Sequence, residues 1–316
     1  MSESQGMSKG VYLTWAIFGV LVFALVFFIL RNAGFWSPSP DVGRRTLDVG
    51  RIPVVATIYP WGFLAERIGG DRVKVMVVTP PGAEPHDYEP TPRDIVTAHG
   101  ARLFLLNGAG MDVWAERIEP DIAKAGAETI TFAAQAPRID AGDDPHVWLD
   151  PVFMIAATRL VADALTRIDS THAETYRANA DALTAELEGL DAAYRDGLAS
   201  CGLKDIVVSH DAFRYLSARY GLSSIAVRGI SPEDEPSARD LADLADIIRA
   251  TGIDVVFTET FVSPKLSETL ATETGARTLV LNPIGGLTNE ERTRGDTYLT
   301  VMRSNLANLT DALQCR

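Results

Sequence analysis

Residues 171–198, THAETYRANADALTAELEGLDAAYRDGL, decide how the rest of the chain is arranged. They close a segment, 151–200, that contains no glycine before Gly189 and shows helical spacing over Met154, Ala157, Leu160 and Val161. A break near Asp169-Ser170-Thr171 reads as the end of one helix and the N-cap of the next. Glu174, three residues after Thr171, completes a capping box. From there the helix runs to about Leu198, which at 1.5 Å per residue spans roughly 40 Å. That is too long for a crossover within one sheet, so it reads as a rigid strut. Residues 151–200 are therefore expected to link a lobe at 52–150 to a second lobe at 201–316.

Both flanks of the strut alternate between β and α patterns. On the N-terminal side the apolar β-rich runs are 53–59, 73–79, 102–106 and 128–132, with helical segments at 60–68 and 91–98. On the C-terminal side the runs are 205–208, 224–227, 253–258 and 278–281. Helices are expected at 212–220, 236–250, 264–273 and from about Gly295. Alternation of this kind implies parallel βαβ units with right-handed crossovers. The fold class is thus α/β: two βα lobes with parallel sheets, one long helix between them, and a cleft where they face each other. Ligands of such sheets bind outside the carboxyl ends of the strands.

Three of the five histidines fall at those ends. His86 lies in the loop after the second strand, in PPGAEPHDYEP. His146 lies in DPHVWLDP (144–151), after the last strand of the first lobe. His210 lies in VVSHD, after the first strand of the second lobe. A lone histidine is usually a structural residue; three converging on one cleft describe a metal site. Three imidazoles suit zinc, and suit manganese less well because Mn²⁺ prefers more oxygen ligands. His99 and His172 sit at a helix end and a helix start and read as structural. The net charge of −13 argues against a nucleic-acid partner, since no basic patch is available to neutralise phosphates. Two cysteines without a CxxC argue against a thiolate zinc site.

Upstream, Val11–Leu30 (VYLTWAIFGVLVFALVFFIL) is a charge-free run flanked by Lys9 and Arg31, long enough to cross a bilayer. A cleaved signal peptide is the alternative. The run is longer than a usual signal core, and no small-x-small site follows it. Residues 1–31 are therefore expected to be an uncleaved membrane anchor and 32–51 a Gly/Pro/Ser tether. Arg31, Arg44, Arg45 and Arg51 outnumber Lys9, a balance that by itself favours a cytoplasmic globular part.

Taken together, GAEPHDYEPTPRD, DPHVWLDP, VSHDAF, GISPEDEPS (229–237) and FTETFVSPKL (257–266) resemble the zinc/manganese-type solute-binding proteins of ABC importers. The resemblance runs from about residue 52 to the C-terminus. It implies a monomeric, extracytoplasmic receptor that captures Zn(II), with Mn(II) or iron as the alternative cargo, and delivers it to a permease and its ATPase. It also implies His86, His146 and His210 as ligands, plus a carboxylate near the last loop. At that last position this chain has Asn282, a neutral and weaker donor. The shell is then expected to be completed by Asn282, by Glu259 or by water, with Glu84 and Asp87 supporting His86. The His-rich acidic loop carried by many zinc members has no counterpart here, because residues 116–143 contain no histidine.

Two other readings use the same features. Three histidines with an open position also describe a hydrolytic zinc enzyme, with Glu259 as base, although no HExxH is present. A surface adhesin would use the outer face of the same fold. An external location would permit a disulfide between Cys201 and Cys315, the one intramolecular pairing available, against two unpaired thiols.

Overall fold

Every pairing between the apolar runs is parallel. The computed structural model of the protein describes residues 50–139 and 144–316. The first sheet contains β1 (Ile52–Ala56), β2 (Val73–Val77), β3 (Leu103–Leu106) and β4 (Glu128–Thr131) in the order β2-β1-β3-β4. The second contains β5 (Asp205–Val208), β6 (Ser223–Ala226), β7 (Val255–Thr258) and β8 (Arg277–Val280) in the order β6-β5-β7-β8. Val54 stands opposite Val75 on one side and Leu103 on the other; Val207 stands between Ile225 and Val256. The two sheets share one winding, so each has a switch point between its two central strands, the place where α/β sheets open a crevice. β3 and β7 are buried along their whole length, as strands covered on both faces must be.

The covering helices of the first sheet are α1 (Tyr59–Gly69), α2 (Pro92–His99) and α3 (Val113–Lys124). Then come α4 (Pro151–Ile168) and α5 (Ala173–Gly197), which link the lobes. The second lobe adds α6 (Arg214–Tyr220), α7 (Ala238–Thr251), α8 (Lys265–Thr274), α9 (Asn289–Arg294) and α10 (Tyr298–Ala312). The helix expected from about Gly295 is α10, and the short α9 before it, which the sequence reading did not include, ends at a left-handed Gly295 at φ 81°. The expected capping box of α5 is absent. Ser170–His172 forms a 3₁₀ turn instead, and the helix begins without a side-chain cap. Asp169 draws the polar side chains there to itself: its carboxylate accepts from Thr171 Oγ1 at 2.5 Å, His172 Nδ1 at 2.6 Å and Tyr176 Oη at 2.9 Å. A charged acceptor that satisfies three donors outcompetes a hydroxyl cap.

α5 lies along α4 and touches α1 of the first lobe and α10 of the second. Leu183, Leu187, Leu190 and Tyr194 on its inner face belong to one apolar core that includes Trp61 and Phe132 of the first lobe and Phe213, Phe257 and Leu309 of the second. The strut is therefore no free-standing rod; its apolar stripe is shared between the lobes. The lobes also meet through rings. Phe63 packs against Tyr298 at 5.6 Å, and the Tyr298 hydroxyl donates to the Trp148 carbonyl at 2.7 Å.

Cys201 and Cys315 are bonded to each other, with Cα atoms 3.8 Å apart in an isolated antiparallel bridge. Arg316 N–H donates to the Ser200 carbonyl beside it, so the chain end is held to the exit of α5. The expected anchor over Val11–Leu30 and its tether lie outside the described residues. Among the described residues no helix is long and apolar enough to cross a membrane.

Candidate metal centre

His210 and Glu259 come directly after β5 and β7, the two strands that flank the second sheet's switch point. His86 sits in a 3₁₀ turn, Pro85–Asp87, in the loop after β2. His146 stands at the entry to the 3₁₀ turn Val147–Leu149 that leads into α4. These placements bring the three imidazoles together. The Nε2 atoms of His86 and His146 are 3.1 Å apart, and those of His146 and His210 are 3.3 Å apart. Among the described residues they form the one group of His, Cys, Asp or Glu side chains close enough to share an ion.

The other ring nitrogens explain what these contacts are. Asp144 Oδ1 accepts from His146 Nδ1 at 2.8 Å and from its backbone N–H at 2.9 Å. Glu259 accepts from His210 Nδ1 at 2.7 Å with both oxygens, and from its backbone N–H at 3.0 Å. A carboxylate on Nδ1 fixes the proton there and leaves Nε2 with its lone pair outward. The Nε2 atoms of His146 and His210 are then two acceptors facing each other, an arrangement that no hydrogen bond stabilises. Nitrogens ~2.0–2.1 Å from a tetrahedral zinc lie about 3.3–3.4 Å apart, which is the spacing found.

Electrostatics keeps His86 and His146 in the ligating form. Burial, aided by the neighbouring imidazoles of His146 and His210, pushes the His86 pKa down to about 2. Burial likewise holds His146 well below the ordinary imidazole value, with His210 and Arg214 acting in the same sense. The carboxyls move the other way: burial raises Asp144 to about 6 and Glu84 to about 7. The cavity between the rings measures about 10 Å³ and is walled by Met111, Trp148, Phe261 and Pro283. It has room for one particle the size of a water molecule. Gly285 keeps it closed, because a Cβ there would come within 2.8 Å of Pro85 beside His86.

The remaining expected residues divide. Glu84 lines the cavity and accepts the backbone N–H of His86 at 3.3 Å, without touching its Nδ1. Glu259 holds His210 from behind. Asn282 is committed elsewhere: its amide donates to Glu291 at 3.0 Å, and its oxygen accepts from Ile284 N–H at 2.8 Å. That bond braces Ile284, whose φ of 57° is costly for a β-branched residue. His99 bonds the Ile95 carbonyl and His172 bonds Asp169, away from the cluster. Asp144 was not anticipated as a partner of His146. The signal was present in the motif itself, as a carboxylate two residues before a histidine in a proline-braced turn.

The same motif also locks the lobes. Trp148 Nε1 donates to the Pro283 carbonyl at 2.7 Å. Asp150 caps α4 through Val152 N–H at 2.9 Å and receives Arg219 of α6 in a two-pronged pair, at 2.9 Å and 2.5 Å.

Comparison with known proteins agrees with this geometry. A family described as the periplasmic zinc-uptake complex component A matches residues 54–312. The high-affinity zinc uptake system protein ZnuA of Bacillus subtilis is 31% identical over 312 residues, covering 93% of this chain and 97% of that protein. The zinc-binding lipoprotein AdcA of Streptococcus pneumoniae is 32% identical over 274 residues, covering 81% of this chain and 55% of its own length. This chain thus spans about half of AdcA. Among solved structures, the Zn(II)-bound ZnuA-like domain of that AdcA superposes with a TM-score of 0.76 at 34% identity, covering 84% and 99% of the two chains. The laminin-binding protein Lmb of Streptococcus agalactiae, described as both adhesin and metal transporter, gives 0.76 at 29% identity, covering 83% and 99%.

Proposed function

The chain belongs to the family of periplasmic zinc-uptake components, and from that premise we propose that it captures Zn(II) outside the cytoplasm for an ABC-type importer. Receptors of this family work with a permease and an ATPase. The ion is cargo, held by Nε2 of His86, His146 and His210. The observation that carries this reading is the pair of outward lone pairs on His146 and His210, each fixed by a buried carboxylate and 3.3 Å apart. An all-nitrogen donor set favours zinc over manganese. A cavity of about 10 Å³ admits an ion and excludes an organic substrate, which supports a receptor over a hydrolase.

Glu259 acts by holding His210, and water or the Glu84 carboxylate completes the shell in place of Asn282. Val11–Leu30 anchors the globular part, residues 32–51 tether it, and the receptor works as a monomer with lobes at 52–150 and 201–316 joined by 151–200. The Cys201–Cys315 bond fits an oxidising exterior. The test is chelator competition with zinc on purified protein. His146→Ala should lose tight binding, whereas His172→Ala should keep it. Equal affinities for the two variants would refute the assignment.

A further inference from the structure

The turn that follows β3, Asn107-Gly108-Ala109-Gly110-Met111-Asp112, carries more strain and more bonds than a connection needs. Three residues in a row are left-handed: Gly108 at φ 80°, Ala109 at 51° and Gly110 at 79°. A side chain makes that conformation costly at Ala109, so the surroundings must hold it. The buried carboxylate of Asp112 accepts the backbone N–H of Asn107 at 2.7 Å and that of Gly108 at 2.8 Å. The Asn107 amide donates to the Gly108 carbonyl at 2.9 Å and to the Pro145 carbonyl, beside His146, at 3.0 Å. Strain retained by so many contacts points to a side chain that the turn is built to place. Met111 is that side chain: it is 4% exposed and stands in the wall of the ion cavity.

Besides the three imidazoles, that wall has two side chains with a lone pair to offer a metal, Glu84 and Met111. A thioether is neutral, polarisable and soft, and it suits monovalent copper better than the harder dications. Imidazole suits copper as well as zinc. We propose that the centre accepts a second class of cargo, the soft monovalent cation Cu(I), with Met111 as the donor that selects it. The proposal rests on the reading of the three histidines as the capture site. Zinc is held by the nitrogens, whereas Cu(I) also gains from the sulfur. Both cysteines are bonded to each other, so among the described residues no thiolate competes for a soft ion. The other methionines among those residues, Met76, Met154 and Met302, do not line the cavity. Copper enters and leaves in one oxidation state, so no electron donor or acceptor is needed.

The experiment titrates the full chain anaerobically with Cu(I) against bicinchoninate, a chromophoric Cu(I) chelator, and in parallel with zinc against a zinc chelator. The wild type should bind one Cu(I), and His146→Ala should lose it. Met111→Leu, a change of shape that cores tolerate well, should weaken Cu(I) at least about tenfold more than it weakens zinc. X-ray absorption at the copper edge should show a sulfur neighbour in the wild type and none in the variant. No Cu(I) binding by the wild type, or no sulfur neighbour, would overturn the proposal. Equal losses for the two metals in Met111→Leu would overturn it as well, by assigning Met111 to packing alone. Cu(I) that survives His146→Ala would do the same, by placing the ion elsewhere. Failure of the wild type to hold zinc would instead sink the reading of the histidine centre, so the two failures are distinguishable.

Discussion

Replacing Glu259 by Gln tests the reading of the centre most directly. The carboxylate is almost fully buried, accepts Nδ1–H of His210 at 2.7 Å with both oxygens, and accepts the same residue's backbone N–H at 3.0 Å. An amide of the same shape can still accept both N–H groups on one oxygen, as Oε1 does now, but it puts an NH₂ group where Oε2 sits, 2.7 Å from Nδ1–H. The negative charge that makes Nε2 a better donor is also lost. Changes at carboxylates that orient a ligating histidine typically cost 10–100-fold in metal affinity, about 1.4–2.7 kcal/mol. Zinc affinity measured by competition with a chromophoric chelator at pH 7.5 should fall within that range. A value within twofold of wild type would refute the argument that the carboxylate fixes the tautomer. A loss as complete as that of His146→Ala would mean that Glu259 binds the ion itself.

Three other outcomes follow from particular contacts. Arg219→Met leaves Asp150 buried with its partner removed; because the Arg219 side chain is 35% exposed, the loss is about 2 kcal/mol rather than the 3–5 of a fully buried pair, read from urea unfolding. Asn282→Asp sets a second carboxylate against Glu291, where the amide now donates at 3.0 Å; it should lower stability by about 1–3 kcal/mol and leave zinc affinity unchanged, and tighter binding would return residue 282 to the ligand set. Asp169 has its pKa lowered to about 2, through hydrogen bonds from Thr171, His172 and Tyr176. A depressed carboxyl contributes stability above its unfolded value near 3.8 and loses it as pH falls through about 2. Asp169→Asn should therefore cost about 1 kcal/mol at pH 7, after allowance for partial exposure, with the difference from wild type vanishing between pH 4 and 2.

Much of the fold was legible because it rests on local pattern. Apolar runs of four or five residues became parallel strands, and His86, His146 and His210 each fell in a segment that follows one of them. What escaped depends on partners distant in sequence or on competition between nearby donors. The start of α5 carried a Thr-x-x-Glu pattern, yet Asp169 drew the hydroxyl away. Asn282 occupied a ligand position by resemblance, but its amide found Glu291, nine residues on, and its oxygen was needed at Ile284. Whether Glu259 touched an ion or a histidine could not be read from spacing, since 49 residues separate it from His210. The sharing of one core by both lobes was hidden for the same reason: a helix read as a strut gives no sign of which lobes its leucines face.

That shared core bears on how long an ion stays. Swinging the lobes apart would wet Trp148, Tyr298 and part of the Leu183–Tyr194 face of α5, all almost fully buried. Two aromatic rings that bury ~150–250 Å² each, at about 25 cal/mol per Å², put that motion roughly 8–12 kcal/mol uphill. Such a state is visited too rarely to set the pace of unloading. Residence time then falls to the short loop that carries Pro85-His86, because Ile284 ties the facing Pro283-Gly285 segment into the core. On the proposed function, a partner that grips that loop would set the clock for release, while the rest of the receptor keeps its shape.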